Sequence, residues 1–545
     1  MTGDGFDPAM ALSDEDYTRL GLQAPPIRID PPGYPACVAG LVERAAAVCP
    51  DHEALTDEDR SYTFSELEQA VEAAAALLAY FGIRSGDRVA ASLGNECSLV
   101  IAFFAAMRLG VVWVGINKVL ARDDKRFILS HSGARLLISD TSMKPQVDAF
   151  QAETPELDAV WYLDDPDADG GWAEALASPA ATTAPSPEID PHAPAAIMYT
   201  SGTTGVPKGV VHSQHNMIVV PAAQFAHGLM APDARRAAVL PLTVTNLMIL
   251  GPVSAFLQFR PFLFAPGPKI DTIVDGLHAL RIEEIALVPT MVYDLLQSDR
   301  DLPDGIFMLY GGAPLSQPIR EAFLKRYGFG IVSSYGLTEA PTIVALGRDG
   351  MDPEGASGRP IPHLEVTIRD EHGALLPSGV VGEVCLAPVT SGPWAGVYTP
   401  PLGYWREPEK TAALLRGGVV HTGDHGILDE HGWLTIADRS SELILRGGSN
   451  VYPAEIERVL HMHDQVADCV VIGRPDPRMG MLTLACIIPA ETDADTVRLE
   501  DELRALCMDR LARYKVPDEW RFMTGFPRNA MGKVVKPELR DLIVR

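Results

Sequence analysis

Strand-like apolar runs alternate with helix-length segments along most of this 545-residue chain, and this alternation limits the fold more than any other feature. The runs include VAASL, LLISD, AIMYT, EIALVPT, IFMLYGG and IVSSYG. Parallel strands need a crossover connection that is usually a helix, so the alternation predicts parallel α/β sheets with helices on both faces. At roughly 150 residues per domain, the length predicts one large domain with at least one smaller companion.

The pattern changes twice towards the C-terminus. After Gly355, short strand-like runs separated by turn residues predict a β-rich subdomain. After Asp438, the remaining residues mix helices with short strands, which is typical of a compact α+β module. We therefore predict an α/β fold with a large N-terminal domain, residues 1–438, and a small C-terminal domain, residues 439–545.

The charge balance excludes some classes of partner. Acidic residues outnumber basic ones by 72 to 45, which gives a formal net charge of −27. Nucleic acids and anionic membrane surfaces attract basic proteins, so this composition argues against both. Anionic substrates would need positive groups placed locally against the field of the whole protein.

The sequence predicts a cytoplasmic protein without a membrane span. The N-terminal residues lack the basic and apolar regions of a signal peptide. The seven cysteines show no C-x-x-C pair and are odd in number, which favours neither a zinc site nor a disulfide framework. Residues 237–259 carry no formal charge, but prolines and a glycine interrupt them, so we predict a buried strand followed by a core helix.

The motif YTSGTTGVPKG at residues 199–209 predicts a phosphate-binding loop. An apolar strand runs into three glycines, four hydroxyl side chains and a lysine. Glycines let several backbone N–H groups converge on one concavity, and hydroxyls add donors. The Walker pattern G-x-x-x-x-G-K-[ST] is absent. The candidate phosphate-binding residues are Thr200, Ser201, Gly202, Thr203, Thr204, Gly205 and Lys208.

This motif resembles the signature of the adenylate-forming superfamily, which includes acyl-CoA synthetases, peptide-synthetase adenylation domains and luciferases. Further blocks follow in the family's order over nearly the whole chain: YGGAP at residues 310–314, YGLTE at 335–339, GYW at 403–405, TGD at 422–424, Asp438-Arg439, and NAMGK at 529–533. One block alone would be weak evidence, whereas six in order are specific. The chain most resembles a stand-alone acyl- or aryl-CoA ligase.

The resemblance assigns roles in the YGLTE and YGGAP blocks. Tyr335, followed by Gly336, would stack on adenine, and Thr338 would contact the α-phosphate of ATP. Glu339 would hold Mg²⁺, which prefers oxygen ligands when it bridges phosphates. Gly312 and Ala313 would line one side of the adenine.

The resemblance also assigns roles to residues further along the chain. Asp424 and Arg439 would bind the ribose hydroxyls. Lys533 would bridge the carboxylate substrate and the α-phosphate during adenylation. Gly447 and Gly448 would line the tunnel for the pantetheine arm of coenzyme A. The GYW block is interpreted as packing more than chemistry.

These roles predict an ATP-dependent acid–CoA ligase with ATP, Mg²⁺ and coenzyme A as cofactors or co-substrates. Lys533 would serve only adenylation, and the Gly447-Gly448 loop would serve only thioester formation. The small domain would therefore be mobile and rotate about a hinge at residues 438–441. Because the chain ends at Arg545, free coenzyme A is the favoured acceptor. The alternative is an acyl-AMP ligase that loads a separate carrier protein, whereas the presence of Lys533 and Glu339 disfavours an inert binding protein.

Three positions depart from the commonest family pattern and limit what can be said of the acid. Ser441 replaces the usual Asp or Lys of the hinge, and Val244 and Gln214 stand where many relatives carry His. Residues 242–250, 289–290 and 310–313, which we expect to wall the acyl pocket, carry no cationic side chain. A second buried substrate carboxylate is therefore disfavoured. Aliphatic, alicyclic and aromatic monocarboxylates stay open, as does a homodimeric assembly.

Overall fold

The structure of the chain is a computed structural model. It describes residues 12–544, apart from residues 121, 178–183, 186, 201–206, 268, 313–314, 316, 349–351, 440–443, 447–448, 452, 477–478, 492, 512 and 530–532. Within this part of the chain, no helix has both the length and the apolar character that crossing a membrane requires.

The described residues form helices and strands throughout. The strands are β1 (Glu53–Thr56), β2 (Ser61–Thr63), β3 (Arg88–Ser92), β4 (Val112–Gly115), β5 (Leu136–Ser139), β6 (Ala159–Tyr162), β7 (Pro194–Thr200), β8 (Lys208–Ser213), β9 (Arg236–Ala238), β10 (Phe262–Phe264), β11 (Glu284–Leu287), β12 (Phe307–Tyr310), β13 (Val332–Leu337), β14 (Ala340–Leu346), β15 (Arg359–Pro360), β16 (Leu364–Arg369), β17 (Gly382–Pro388), β18 (Gly403–Tyr404), β19 (Val420–Leu428), β20 (Leu434–Arg439), β21 (Ile444–Arg446), β22 (Ser449–Val451), β23 (Val466–Asp476), β24 (Gly480–Pro489) and β25 (Glu519–Phe522). The α-helices are α1 (Asp14–Arg19), α2 (Leu41–Val48), α3 (Phe64–Tyr80), α4 (Cys97–Arg108), α5 (Arg122–Ser132), α6 (Lys144–Phe150), α7 (Trp172–Ala177), α8 (Gln214–Ala226), α9 (Thr245–Met248), α10 (Ser254–Leu257), α11 (Ile270–Ala279), α12 (Pro289–Gln297), α13 (Gln317–Tyr327), α14 (Pro408–Leu414), α15 (Pro453–Leu460), α16 (Thr496–Arg510) and α17 (Lys536–Val544).

Two large sheets contain the parallel strands that the alternating pattern predicts. The nine-stranded sheet has the order β15-β14-β13-β12-β11-β9-β10-β1-β2, and its strands from β13 to β1 pair in parallel. The seven-stranded sheet has the order β18-β8-β7-β4-β3-β5-β6, and its strands from β7 to β6 pair in parallel. In both sheets, antiparallel strands cover an edge. The prediction of parallel α/β sheets is confirmed.

A continuous apolar core joins the two large sheets. It contains buried side chains from β3 and β4 of the seven-stranded sheet, from β1 and β12 of the nine-stranded sheet, and from helices α3, α4, α8 and α10. Alternate residues of β3 face different cores, since Val89 and Ala91 lie in this one and Ala90 lies in a second core on the other face. These helices therefore pack between the sheets.

Two smaller sheets follow, as the change in sequence pattern predicts. Strands β16, β17, β19 and β20 form an antiparallel sheet, which is the β-rich subdomain. Strands β21 to β25 form the sheet of the C-terminal domain, with α15 and α16 packed on its core. The placement of the domain boundary after Asp438 stays a prediction.

The uncharged residues 237–259 form a strand and a core helix, as predicted. Strand β9 ends at Ala238, and helical turns run from Thr245 to Leu257. Residues Ile249–Val253 between α9 and α10 are π-helical and include Pro252, which has no N–H to donate to the helix.

Three buried histidines are expected to make the folded protein sensitive to acid. Burial lowers the pKa of His192 and of His212 to about 4, and that of His363 to about 3. The unfolded chain takes up these protons near pH 6.5, so the free energy of unfolding falls as the pH drops below that value, by about 1.4 kcal/mol per pH unit for each histidine. Burial raises the pKa of Glu96 to about 7, so its carboxyl takes up a proton in the folded protein before it does in the unfolded chain. This stabilises the folded protein as the pH falls and offsets the effect of one of the three histidines.

We therefore expect the free energy of unfolding to fall as the pH drops from 6 to 4.5, as measured by chemical denaturation. His363→Phe should reduce this slope by about 1.4 kcal/mol per pH unit, because it removes a group that takes up a proton near pH 6.5 only in the unfolded chain. Both ring nitrogens of His363 lack a described hydrogen-bond partner, so the substitution breaks no described hydrogen bond. His372→Gln, at an exposed position, is the control and should leave the slope unchanged. An unaltered slope in His363→Phe would contradict this account.

Candidate active site

The phosphate-binding motif lies between two paired strands at one edge of the seven-stranded sheet. Thr200 ends β7 and pairs with Lys208, the first residue of the antiparallel strand β8. The motif therefore connects two strands and does not open directly into a helix. Residues 201–206 lie outside the described part of the chain, and with them the predicted Ser201, Gly202, Thr203, Thr204 and Gly205.

Thr338 and Glu339 form the turn between β13 and β14. The chain reverses after Leu337 and returns as an antiparallel strand, so the pair caps no helix. Gly336 is required here, because a Cβ atom on it would lie 1.7 Å from the backbone oxygen of Thr342. The close approach of the two strands presents Thr338 and Glu339 together.

Two polar side chains from other elements hold this turn. The Nε2 atom of His212, on β8, lies 2.7 Å from the backbone oxygen of Thr338. Burial keeps the imidazole of His212 neutral, so the ring carries one N–H proton. Because a carbonyl oxygen can only accept a hydrogen bond, the proton of His212 is on Nε2. The Nδ2 atom of Asn246, on α9, donates to the Thr338 hydroxyl at 3.4 Å. Strand β8 therefore connects the phosphate-binding motif to the Thr338 turn.

Tyr404 links Lys208 to Glu339. The Lys208 Nζ atom lies 5.6 Å from the centre of the Tyr404 ring, and the Tyr404 hydroxyl donates to Glu339 Oε1 at 2.9 Å. Strand β18 places Tyr404 here by pairing with Val210 of β8. The packing interpretation fits Trp405, which is fully buried. Tyr404 is also buried in an apolar core, and the pairing of β18 with β8 brings its hydroxyl to Glu339.

The predicted adenosine-binding residues Tyr335 and Asp424 also meet. The Tyr335 hydroxyl donates to Asp424 Oδ2 at 2.6 Å, and Asp424 is buried. Asp424 lies in an irregular part of β19, where the register with β17 shifts and Gly423 has a φ of 71°. Such irregularities re-aim side chains next to active sites. The backbone of Arg439, at the end of β20, pairs directly with Asp424.

Glu383 supports this irregular segment, which the motif analysis did not reveal. Its carboxylate accepts from the backbone N–H of Gly423 at 3.2 Å and lies 2.7 Å from His421 Nδ1. Glu383, Cys385 and His421 are the one group of three among the described residues whose ligand atoms could surround a metal ion. Through these hydrogen bonds the carboxylate holds the segment just before Asp424.

A hydrogen bond joins the carboxyl end of β12 to β13. The Ser334 hydroxyl donates to the Tyr310 backbone oxygen at 2.8 Å. A Cβ atom on Gly311 would lie 2.7 Å from that hydroxyl. Gly312, with a φ of 85°, follows at the carboxyl end of β12, and Ala313 lies outside the described residues. Open α/β sheets bind ligands at these strand ends, so the position suits the predicted adenine contact.

Lys533 of the C-terminal domain is hydrogen-bonded to Asn529. Its backbone N–H donates to Asn529 Oδ1 at 2.9 Å, its backbone oxygen accepts from the Asn529 N–H at 2.8 Å, and its side chain is exposed. The contact of Lys533 with a nucleotide stays a prediction. Gly447, Gly448 and Ser441 lie outside the described residues.

An apolar cleft with a cavity volume of about 40 Å³ lies near the Thr338 turn. Asn246 contacts Thr338, and its neighbour Leu247 lines the cleft. The lining side chains include Leu242, Leu250, Phe262, Ile285 and Leu309. Arg236 also lines the cleft. This cationic residue lies outside the three segments that the sequence analysis expected to form the wall of the acyl pocket. Both guanidinium contacts to the buried Glu284 carboxylate measure 3.0 Å, so the charge of Arg236 is neutralised.

Gln214 has a structural role. Its side-chain oxygen accepts from the backbone N–H of Ala39 at 2.8 Å, and its side-chain nitrogen donates to the backbone oxygen of Met107 at 2.9 Å. Gln214, which stands where many relatives carry His, therefore holds the N-terminal segment around Ala39 against the domain. Val244 is half-buried just before α9 and is not among the residues that line the cleft.

Glu339 fits the magnesium role that the resemblance implies. One carboxylate oxygen accepts from Tyr404, and the other has no hydrogen-bond partner among the described residues. A hard cation that bridges phosphates takes such carboxylate oxygens as ligands.

Comparisons with known proteins agree with this arrangement. A family model described as AMP-binding enzyme matches residues 42–392, and one described as AMP-binding enzyme C-terminal domain matches residues 455–533. The fatty acid–[acyl-carrier-protein] ligase ScoC of Streptomyces coeruleorubidus is 34% identical over 519 residues, which cover 90% of this chain and 93% of ScoC. The long-chain-fatty-acid–CoA ligase FadD13 of Mycobacterium tuberculosis is 32% identical over 92% of this chain and 98% of FadD13. The structure of o-succinylbenzoate CoA synthetase from Bacillus subtilis with its acyl-adenylate intermediate matches with a TM-score of 0.77 and 28% identity, over 92% of this chain and 98% of that chain.

Proposed function

Because the chain belongs to the AMP-binding enzyme family, we propose that it ligates a monocarboxylic acid to coenzyme A in two steps. In the first step, a carboxylate oxygen attacks the α-phosphate of ATP, which forms acyl-AMP and releases pyrophosphate. In the second step, the thiol of coenzyme A attacks the acyl carbon and AMP leaves. The resemblance to adenylate-forming enzymes drawn from the six motif blocks is confirmed.

The observation that carries this proposal is the meeting of Lys208, Tyr404 and Glu339 beside the Thr338 turn. A cation, two hydroxyls and a carboxylate from three separate motifs converge next to an apolar cleft. This set of groups suits a reaction between a polyphosphate and an acid with an apolar tail. Lys208 would attract phosphate oxygens, and Thr338 would donate to the α-phosphate.

The remaining contacts orient the nucleotide. The ring of Tyr335 would stack on adenine, and Asp424 would accept hydrogen bonds from the ribose hydroxyls. The hydrogen bond between these two side chains holds both in place before the nucleotide binds. Mg²⁺, when bound by Glu339, supplies charge that neutralises the phosphate oxygens.

The cleft favours an acid with an apolar tail. Its lining is largely aliphatic and aromatic, and its one described cation is neutralised by a bidentate pair. A second carboxylate on the substrate would be buried there without a free partner, which is costly. Aliphatic, alicyclic and aromatic monocarboxylates are all compatible with this lining.

Coenzyme A is the favoured acceptor, and a carrier protein is the alternative. FadD13 and o-succinylbenzoate CoA synthetase are ligases of coenzyme A by name, whereas ScoC, at 34% identity, is named for an acyl-carrier protein. The two acceptors share the same reactive thiol arm, so the acyl-adenylate chemistry is common to both. The acceptor is therefore an outcome of the experiment below.

The free cysteines support a cytoplasmic location. All seven are free thiols, and six are buried. Thiols persist in reducing compartments, where structural disulfides are rare. We therefore place the reaction in the cytoplasm.

Product formation by the purified protein tests the proposal. The protein is incubated with ATP, Mg²⁺ and a panel of monocarboxylates, each with and without coenzyme A, and the products are identified by mass spectrometry. We expect AMP and an acyl-CoA for one chain-length or ring class. Accumulation of acyl-AMP without a thioester, even with coenzyme A present, would instead establish the carrier-protein ligase. No AMP with any acid would contradict the proposed activity.

A further inference from the structure

Three side chains beside the predicted nucleotide site are of the kinds that bind zinc. Glu383 and Cys385 lie on β17, and His421 lies on β19. The Cys385 Sγ atom is 3.6 Å from His421 Nδ1, and Glu383 Oε2 is 2.7 Å from the same nitrogen. The three ligand atoms lie within 4.8 Å of one another. Thiolate, imidazole and carboxylate are the side-chain ligands of zinc in proteins.

The strand register brings these side chains together at the base of a bulge. Cys385 and His421 pair directly across two antiparallel strands, so their side chains share one face of the sheet. Glu383, two residues earlier on β17, shares that face and pairs with His425. Residues 422–424 of β19 therefore lie opposite a single residue of β17. This bulge carries the carboxylate that is predicted to bind the ribose, and the three side chains lie at its base.

The burial and the charges of the three groups suit a dication. Cys385 is fully buried, whereas the side chains of His421 and Glu383 are 8% and 21% exposed. The partly exposed carboxylate gives an ion a route from solvent. A thiolate and a carboxylate balance the two charges of Zn²⁺, so the occupied site has no net charge to bury. Structural zinc sites have four protein ligands, so three ligands and a water favour an ion that exchanges.

The distances in this cluster are close to those around zinc. With zinc bonds of about 2.3 Å to sulfur and about 2.0 Å to nitrogen, tetrahedral geometry places the two ligand atoms about 3.5 Å apart. The Cys385 and His421 atoms already lie 3.6 Å apart. A nitrogen and a carboxylate oxygen around zinc lie about 3.3 Å apart, so Glu383 and His421 must separate by roughly 0.6 Å from their 2.7 Å contact. Zinc binding releases the Sγ proton to solvent, and the imidazole proton moves from Nδ1 to Nε2.

We propose that Glu383, Cys385 and His421 reversibly bind Zn²⁺, and that the bound ion weakens nucleotide binding by displacing the bulge that carries Asp424. The other carboxylate oxygen of Glu383 accepts from the Gly423 N–H at 3.2 Å, so a shift of this carboxylate moves the backbone next to Asp424. Mg²⁺ is a hard cation that prefers oxygen ligands, so the thiol and the imidazole select zinc against it. The metal site is independent of the proposed function, whereas its effect on the nucleotide rests on that function.

Calorimetric titration of the full-length protein with ZnCl₂, without nucleotide, tests the metal site. We expect one ion to bind per chain, and Cys385→Ser and His421→Gln each to weaken its binding about tenfold or more. Cys37→Ser removes the one cysteine of the seven that is not buried, and His431→Gln removes an exposed histidine. Both are controls for non-specific binding and should leave the zinc affinity unchanged.

Two further measurements keep the test valid if a variant fails to fold. Zinc should raise the thermal unfolding midpoint of the wild type, and EDTA should reverse this shift. Co²⁺, bound in place of zinc, should give the absorption of a cobalt–thiolate bond in the wild type and in Cys37→Ser. If zinc does not bind to the wild type, or the bound Co²⁺ shows no thiolate absorption, the site is overturned. Undiminished zinc binding by well-folded Cys385→Ser and His421→Gln would overturn it equally.

Adenosine binding tests the effect on the nucleotide, because adenosine has no phosphate groups that would chelate zinc. We expect saturating zinc to weaken the binding of adenosine to the wild type severalfold, as measured by calorimetry, and to leave it unchanged in Cys385→Ser. If zinc binds through the three side chains but the adenosine affinity stays the same, the metal site stands and the displacement of the bulge is wrong. If adenosine does not bind even without zinc, the predicted roles of Tyr335 and Asp424 fail together with the effect on the nucleotide, and the zinc titration alone decides the metal site.

Discussion

Lys533→Ala is expected to reduce the rate of acyl-adenylate formation by about a thousandfold or more. Adenylation brings the carboxylate of the acid against the α-phosphate of ATP in a protein with a net charge of −27. An ammonium placed between these two anions would stabilise their approach and the charge of the transition state. The side chain of Lys533 is exposed. Pyrophosphate release without coenzyme A measures the rate.

The same variant should retain thioester formation from supplied acyl-AMP. Lys533 has no role in the second step if the C-terminal domain presents a different surface to the acyl-adenylate after adenylation. Lys325→Ala, which removes an equal charge from α13, serves as the control and should leave both steps unchanged. Equal loss of both half-reactions in Lys533→Ala would contradict the assignment of two domain positions.

Much of the fold follows from local sequence patterns. The alternation of apolar runs with helix-length segments predicts parallel strands because only a crossover can join them, and the two large sheets contain such strands. Thr63 and Glu66 form the capping box that starts α3, as Thr-x-x-Glu before an apolar helix predicts. In these cases the determining contacts lie within a few residues of one another.

The contacts that assemble the site are not local, and the sequence alone did not reveal them. Tyr404 meets Glu339 and Lys208 because the two-residue strand β18 pairs with β8, and so short a strand has no recognisable alternation. Arg236 reaches the apolar cleft as an ion pair with Glu284 on the neighbouring strand β11. Such pairings depend on the packing of the whole domain, which outweighs local propensity.

The turn that carries Thr338 and Glu339 can be disturbed without removing either side chain. Gly336→Ala places a Cβ atom 1.7 Å from the backbone oxygen of Thr342, so strands β13 and β14 must separate. We expect a loss of about 3 kcal/mol in the free energy of unfolding, since neither backbone can yield without breaking the pairing. A displacement of the turn by about 1 Å should also reduce the adenylation rate about a hundredfold. Chemical denaturation and pyrophosphate release measure the two effects.

A glycine in open surroundings separates this strain from the general effect of a methyl group. A Cβ atom on Gly525 would have no heavy atom of another residue in contact within 4 Å, so Gly525→Ala should leave both stability and adenylation near wild-type values. If Gly336→Ala loses stability but keeps the adenylation rate, the exact placement of Thr338 and Glu339 does not limit catalysis. Loss of the adenylation rate in a well-folded Gly336→Ala protein would instead show that the geometry of the turn, which His212 and Asn246 also hold, controls the first step.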